Sequence, residues 1–139
     1  MADPPVSQRR LDLAAIGRGA IAGAVIVLPA GVAQTFTGDD SSLRGLLLVA
    51  ILVGLGWAGA VAGKAADDEP LKHGAAAAVL TYLGVQGVGS LLRAARGDAI
   101  HPVTIVFMAL LSACCGLIGA ELGRRRRQRL STPSEAGEQ

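Results

Sequence analysis

Aromatic side chains are scarce in this chain, 3% of 139 residues, although hydrophobic residues make up 51% and the mean hydropathy is +0.47. That balance excludes an ordinary soluble domain, whose core needs polar faces between its apolar stripes. Here the charges cluster and leave long, nearly uncharged runs between them. Cysteine is confined to Cys114 and Cys115, adjacent within the last apolar run. Adjacent cysteines rarely bridge each other, because the peptide unit between them must distort, and a thiolate metal site needs further soft ligands. His73 and His101 would fall on opposite membrane faces and cannot supply them together, so neither a metal nor another cofactor is expected. The chain also lacks a nucleophile with a base and an orienting group, a phosphate-binding glycine loop and a zinc-ligand spacing, which argues against an enzyme. A formal net charge of +2 is too small for a nucleic-acid binder.

What the chain does contain is four apolar runs, at about 13–36, 43–63, 74–92 and 103–122. A hydrocarbon core of about 30 Å needs about 20 helical residues, so each run is long enough to span. The expected fold is all-α: an N-terminal arm over 1–12, a four-helix transmembrane domain over 13–123, and a basic, then disordered, tail over 124–139. Arg9 and Arg10 before the first run and Gly31-Val32-Ala33 within it have some features of a cleaved signal peptide. Asp12 and Arg18 interrupt that stretch, however, and three further spans follow, so retention is expected. The basic residues set the orientation. With the N-terminus inside, ten of the thirteen Lys and Arg lie on the cytoplasmic side, and Arg44, Arg93 and Arg96 lie outside. Both termini are expected to be cytoplasmic. Eleven Arg against two Lys, with spans rich in Ala, Gly and Val, point to a G+C-rich bacterial genome and hence to the plasma membrane.

The second and fourth runs end alike. Gly56, Gly59, Gly63 and Lys64 are matched sixty residues later by Gly116, Gly119, Gly123 and Arg124. Glycines three and four apart share one helix face, and such a smooth face lets another backbone approach closely in a bilayer. Arg18-Gly19-Ala20 and His73-Gly74-Ala75 open the first and third runs in a similar way. The chain can therefore be read as two repeated hairpins related by an axis along the membrane normal, or as a coincidence among 19 glycines. The same faces are expected to pack helices, and Gly19 and Gly23 add a further small-residue face on the first span.

Three polar constellations are candidates for chemistry. Glu121 lies inside the last run, where an intramembrane carboxylate is a functional hypothesis by default. Arg124 and Arg125 follow it at helical spacing, so it is expected to snorkel toward the cytoplasmic interface and pair locally with them. Arg18 lies at a similar depth on the first span, which makes a cross-helix pair between Arg18 and Glu121 the further specific expectation. Tyr82, Gln86 and Ser90, four apart, form a polar stripe on the third span that either wets a small cavity or hydrogen-bonds between helices. Arg124, Arg125, Arg126, Arg127 and Arg129 form a stop-transfer flank that also suits anionic lipid headgroups.

Gly59-Ala60-Val61-Ala62-Gly63-Lys64, the stretch from Gly116 through Gly119 and Glu121 to Arg124, and Lys72-His73-Gly74 together resemble a group of small four-span bacterial membrane proteins of the Bacillus YrzE type. The resemblance covers about residues 13 to 127 and implies the four-span architecture, without an activity. Arg18 in the first span and the tail beyond Arg127 depart from it. Small multidrug exporters are of similar size, but their acidic residue in the first span has no counterpart here. The expected role is a structural or interaction subunit, as a homo-oligomer or with another membrane protein. The alternatives are a minor channel or transporter for a small solute, or a phage-type holin.

Overall fold

The computed structural model of the chain describes residues 12–37, 42–66, 68–97 and 102–131. These form four helices: α1 (Leu13–Phe36), α2 (Ser42–Ala65), α3 (Pro70–Arg96) and α4 (Pro102–Ser131). The fold is all-helical among the described residues. All four helices are long and apolar enough to cross a membrane, with mean hydropathies of 1.8, 2.3, 1.3 and 2.3 over their best windows. The chain is thus a multi-pass membrane protein. At about 1.5 Å per residue, α1 and α2 each extend about 36 Å, more than the hydrocarbon core requires.

Local chemistry sets the helix ends. The Asp12 carboxylate caps α1 by accepting from the backbone N–H groups of Ala14 at 2.9 Å and Ala15 at 3.2 Å. Pro70 and Pro102 open α3 and α4, where a missing N–H costs nothing and the fixed φ suits the first turn. Gly97, with φ +80°, follows the end of α3 and donates its N–H to the Ala94 carbonyl at 3.1 Å. Pro29 lies inside α1, which continues through it. Near the end of that helix, the Thr35 and Thr37 hydroxyls donate to the Val32 and Ala33 carbonyls.

The helices run up and down. Gly19 faces Ala58, Ala62 and Ala77, and one turn later Gly23 faces Ala58, Gly54 and Thr81. The α1 numbers therefore rise as those of α2 fall and those of α3 rise. Helices consecutive in the chain are antiparallel, whereas the contacting pairs α1 and α3, and α2 and α4, run in the same direction. In cross-section α2 and α3 form the central pair, since each touches all three other helices, whereas α1 and α4 do not touch among the described residues. The interior is built from small side chains: Ala58, Ala62, Ala77, Ala78 and Ala120 are fully buried, with Ile16, Val27 and Leu55 among the larger members. Long aliphatic residues such as Leu46, Val53, Leu110 and Ile118 face outward, as expected where lipid rather than water surrounds the bundle.

Two boundaries differ from the hydropathy reading. Helix α3 begins at Pro70 rather than near Gly74, because its charged first turn is compatible with a helix although not with lipid. Helix α4 runs through the arginine cluster to Ser131 instead of stopping near Leu122, since arginine is a good helix former. The arm before Asp12, the turn residues 38–41, Asp67, residues 98–101 and the tail over 132–139 lie outside the described residues.

Candidate functional site

The closest backbone approach lies where α2 crosses α4. A Cβ added to Gly59 would overlap the backbone of Gly116, and one added to Gly119 would overlap the Gly56 carbonyl. One turn further on, a Cβ at Gly63 would lie 2.8 Å from Ala120 Cα, and one at Gly123 would lie 2.6 Å from the Ala60 carbonyl oxygen. Such closeness turns the glycine Cα–H groups toward opposing carbonyls, contacts worth about 0.5–1 kcal/mol each. A Cβ added to Gly56 would have more room, 3.8 Å from the Cys115 carbonyl oxygen. The contribution of Gly56 to the seam is its carbonyl.

These contacts come in exchanged pairs. Gly59 meets Gly116 and Gly56 meets Gly119; Gly63 meets Ala120 and Ala60 meets Gly123. Adding sixty to the α2 number and subtracting it from the α4 number converts each contact into its mate. That is the signature of a local two-fold axis between two parallel helices. The symmetry ends with this pair, because α2 packs on α3 whereas the corresponding α1–α4 contact is not made among the described residues.

Two further glycines pack tightly although the sequence patterns do not assign them to packing. Gly74 of α3 enters the same junction, where its added Cβ would meet Ala120, Gly116 and Gly59, and Gly54 would meet Val27 at 2.8 Å. By contrast, Gly17, Gly45, Gly84, Gly87 and Gly89 have open space around them. Spacing alone does not separate the two groups.

On the side open to lipid, the seam forms a groove of about 440 Å³. Small residues make its floor, Gly56 and Ala60 from α2 with Gly119 and Gly123 from α4. Trp57 and Ile118 are among its walls, both more than half exposed. Lys64 and Arg126 line the end at which both helices finish.

The cross-helix pair between Arg18 and Glu121 is not formed. Helices α1 and α4 lie on opposite flanks of the central pair, and Arg18 is exposed. Glu121 instead accepts from Arg124 Nε at 3.0 Å and Arg124 Nη2 at 3.1 Å, and from Arg125 Nε at 2.8 Å. All three belong to the same helix. Arg127 reaches across to donate to the Lys64 carbonyl at 3.2 Å, which ties the ends of α2 and α4 together.

Tyr82, Gln86 and Ser90 are all half-buried on α3. Tyr82 packs against the cluster of Val27, Leu55 and Ala78. None of the three lines the α2–α4 groove. The Thr81 hydroxyl, buried beside them, donates at 2.8 Å to the Ala77 carbonyl of its own turn and lies 3.3 Å from the Ala20 carbonyl of α1.

His73 makes the least expected contact. It is buried, and its Nε2 accepts the backbone N–H of Asp12 at 2.7 Å, while Nδ1 lies 3.1 Å from the Glu69 carbonyl. A ring whose Nε2 accepts can satisfy a carbonyl only by carrying its proton on Nδ1. The neutral Nδ1–H ring thus joins the start of α1 to the start of α3. No buried side-chain nitrogen or oxygen is left without a partner, and no group of three or more potential metal ligands occurs, among the described residues.

Comparison with known proteins finds no matching family model, no matching curated protein and no matching solved structure.

Proposed function

We propose that this is a small structural or interaction subunit of a bacterial plasma membrane, with both termini in the cytoplasm, akin to the YrzE-type four-span proteins it resembles. The observation that carries this reading is the interior itself. The bundle is closed by alanine and glycine, and among the described residues each buried polar side chain is bonded within the protein: His73 to Asp12 and Glu69, Thr81 to Ala77, Ser112 to Ala109. A carrier of ions or protons needs a charge or an unsatisfied dipole at mid-membrane to bind its cargo. Here the described charged side chains belong to the helix ends and connectors, Arg18 and Glu121 being the most inward.

Purified protein reconstituted into vesicles tests the reading against its rivals. A bundle with a structural role raises the flux of no member of a broad panel of ions and small polar solutes above that of empty vesicles. Flux lost on replacing Tyr82 or Gln86 would replace this reading with that of a channel along the α3 stripe. Abrupt, membrane-wide lysis on overexpression would replace it with a holin.

A further inference from the structure

The groove between α2 and α4 has the shape and charge of a site for one particular membrane component. Along α2 the lining positions recur at three and four, Val53, Gly56, Trp57, Ala60 and Lys64; along α4 they run through Gly119 and Gly123 to Arg126. The same stripe therefore carries the small residues that form the floor and the cation that ends it. Because α2 and α4 are parallel, the two cations converge on one end, one from each helix.

Length adds a second constraint. From Leu52 to Lys64 the helix rises through twelve residue steps, about 18 Å. Half of the hydrocarbon core is about 15 Å. The groove is thus about one leaflet deep, apolar along its length and cationic where it meets the headgroup layer. That length matches one lipid acyl chain, and the two cations at its headgroup end match the phosphate of an anionic lipid.

We propose that this groove seats one acyl chain of an anionic phospholipid, with the lipid phosphate held between Lys64 and Arg126. This rests on the membrane placement and orientation proposed above and adds a defined site to the general attraction of a basic tail. Two features separate it from that attraction. Arg124 and Arg125 are engaged by Glu121 and do not line the groove, whereas Arg126, one position further on, does. The Trp57 ring beside the groove offers a rigid apolar wall for the chain.

The full-length protein in vesicles of zwitterionic phosphatidylcholine, doped with spin-labelled phosphatidylglycerol or spin-labelled phosphatidylcholine, tests the site. Electron spin resonance reads the motionally restricted fraction of each probe. The wild-type protein should restrict the anionic probe preferentially. Lys64→Gln with Arg126→Gln should reduce that preference about fivefold per cation removed, from about 1 kcal/mol for a cation near the surface. Arg125→Gln with Arg129→Gln removes the same charge outside the groove and should retain most of it. Val53→Trp, which fills the slot from an exposed position, should reduce the restricted fraction of both probes by about one lipid per protein, with helicity unchanged.

Equal loss of preference in the two charge pairs would overturn the proposal in favour of diffuse attraction to the tail. A Val53→Trp protein that restricts as much lipid as the wild type, but changes from dimer to monomer, would assign the groove to a second copy of the chain. Failure of the structural-subunit reading would appear separately, as solute flux.

Discussion

His73 accepts the backbone N–H of Asp12 across 61 positions of sequence. The bond closes the bundle at the end where α1 and α3 begin. It forces the neutral Nδ1–H ring, since the same imidazole also faces the Glu69 carbonyl, an acceptor. Glu69 has φ +48°, and its carbonyl further takes the backbone N–H of Lys72 at 3.0 Å. Ring, cap and turn therefore form one connected unit.

Removing the ring should cost more than its packing. His73→Ala takes away the partner of the Asp12 N–H, while the Glu69 carbonyl keeps the backbone N–H of Lys72. The loss of a partly buried hydrogen bond costs about 0.5–1.5 kcal/mol beyond the packing. Reversible unfolding of the protein in mixed micelles checks this. His73→Asn, which retains a donor and an acceptor on a shorter side chain, should recover part of the loss.

The glycines divide into two classes that look the same in the sequence. Gly119→Ala sets a methyl group against the Gly56 carbonyl and Gly59→Ala sets one against the Gly116 backbone, so each should destabilise the bundle by about 1–3 kcal/mol or more, as overpacking does. Gly84→Ala and Gly87→Ala meet nothing within 4 Å and should be neutral or stabilising by up to about 1 kcal/mol, the helix-propensity difference. The same unfolding assay, run on all four variants, separates the two classes.

Glu121 should couple to Arg125 and not to Arg18. In double-mutant cycles, Arg18→Ala and Glu121→Ala are expected to add, because the two side chains stand on helices that do not touch among the described residues. Glu121→Ala and Arg125→Ala share the contact at 2.8 Å and are expected to deviate from additivity, more so at low salt than at high salt.

Thr81 spends its hydroxyl chiefly within α3, donating to Ala77 at 2.8 Å, with Ala20 of α1 the longer contact at 3.3 Å. Thr81→Val retains the shape and removes both. The expected cost is about 0.6 kcal/mol, the average for interhelical hydrogen bonds in membranes. Unfolding of Thr81→Val in the same micelles checks it.

The orientation is open to a direct chemical check. In a background where Cys114 and Cys115 are Ala, Thr37→Cys and Lys72→Cys stand at opposite ends of the bundle. A membrane-impermeant maleimide added to intact cells should label Thr37→Cys at once and Lys72→Cys only after permeabilisation. The reverse pattern would invert the orientation, and labelling of both from one side would remove the four-span topology.

Much of the architecture was legible because hydropathy responds to lipid directly. The first apolar run coincides with α1 at both ends, and the second falls within two residues of α2. Hydropathy follows lipid, though, and not the helix, which is why it missed the charged first turn of α3 and the arginine-bearing last turns of α4. Equal depth led to the pairing of Arg18 with Glu121. Depth along the membrane normal says nothing about which helices are neighbours within its plane.

The sequence by itself determined the helical class, the number of spans and the positions of the charged boundaries, since each depends on the preference of short stretches for lipid or water. Only the tertiary structure decided the rest: that α2 and α3 form the centre, that Gly59 and Gly119 oppose Gly116 and Gly56 in exchanged pairs, that His73 reaches Asp12, and that Lys64 and Arg126 end one groove. Lipid treats every apolar helix face alike. The choice among faces therefore falls to steric fit between backbones and to the few polar groups that must find partners, and both are properties of pairs of helices rather than of any one stretch of chain.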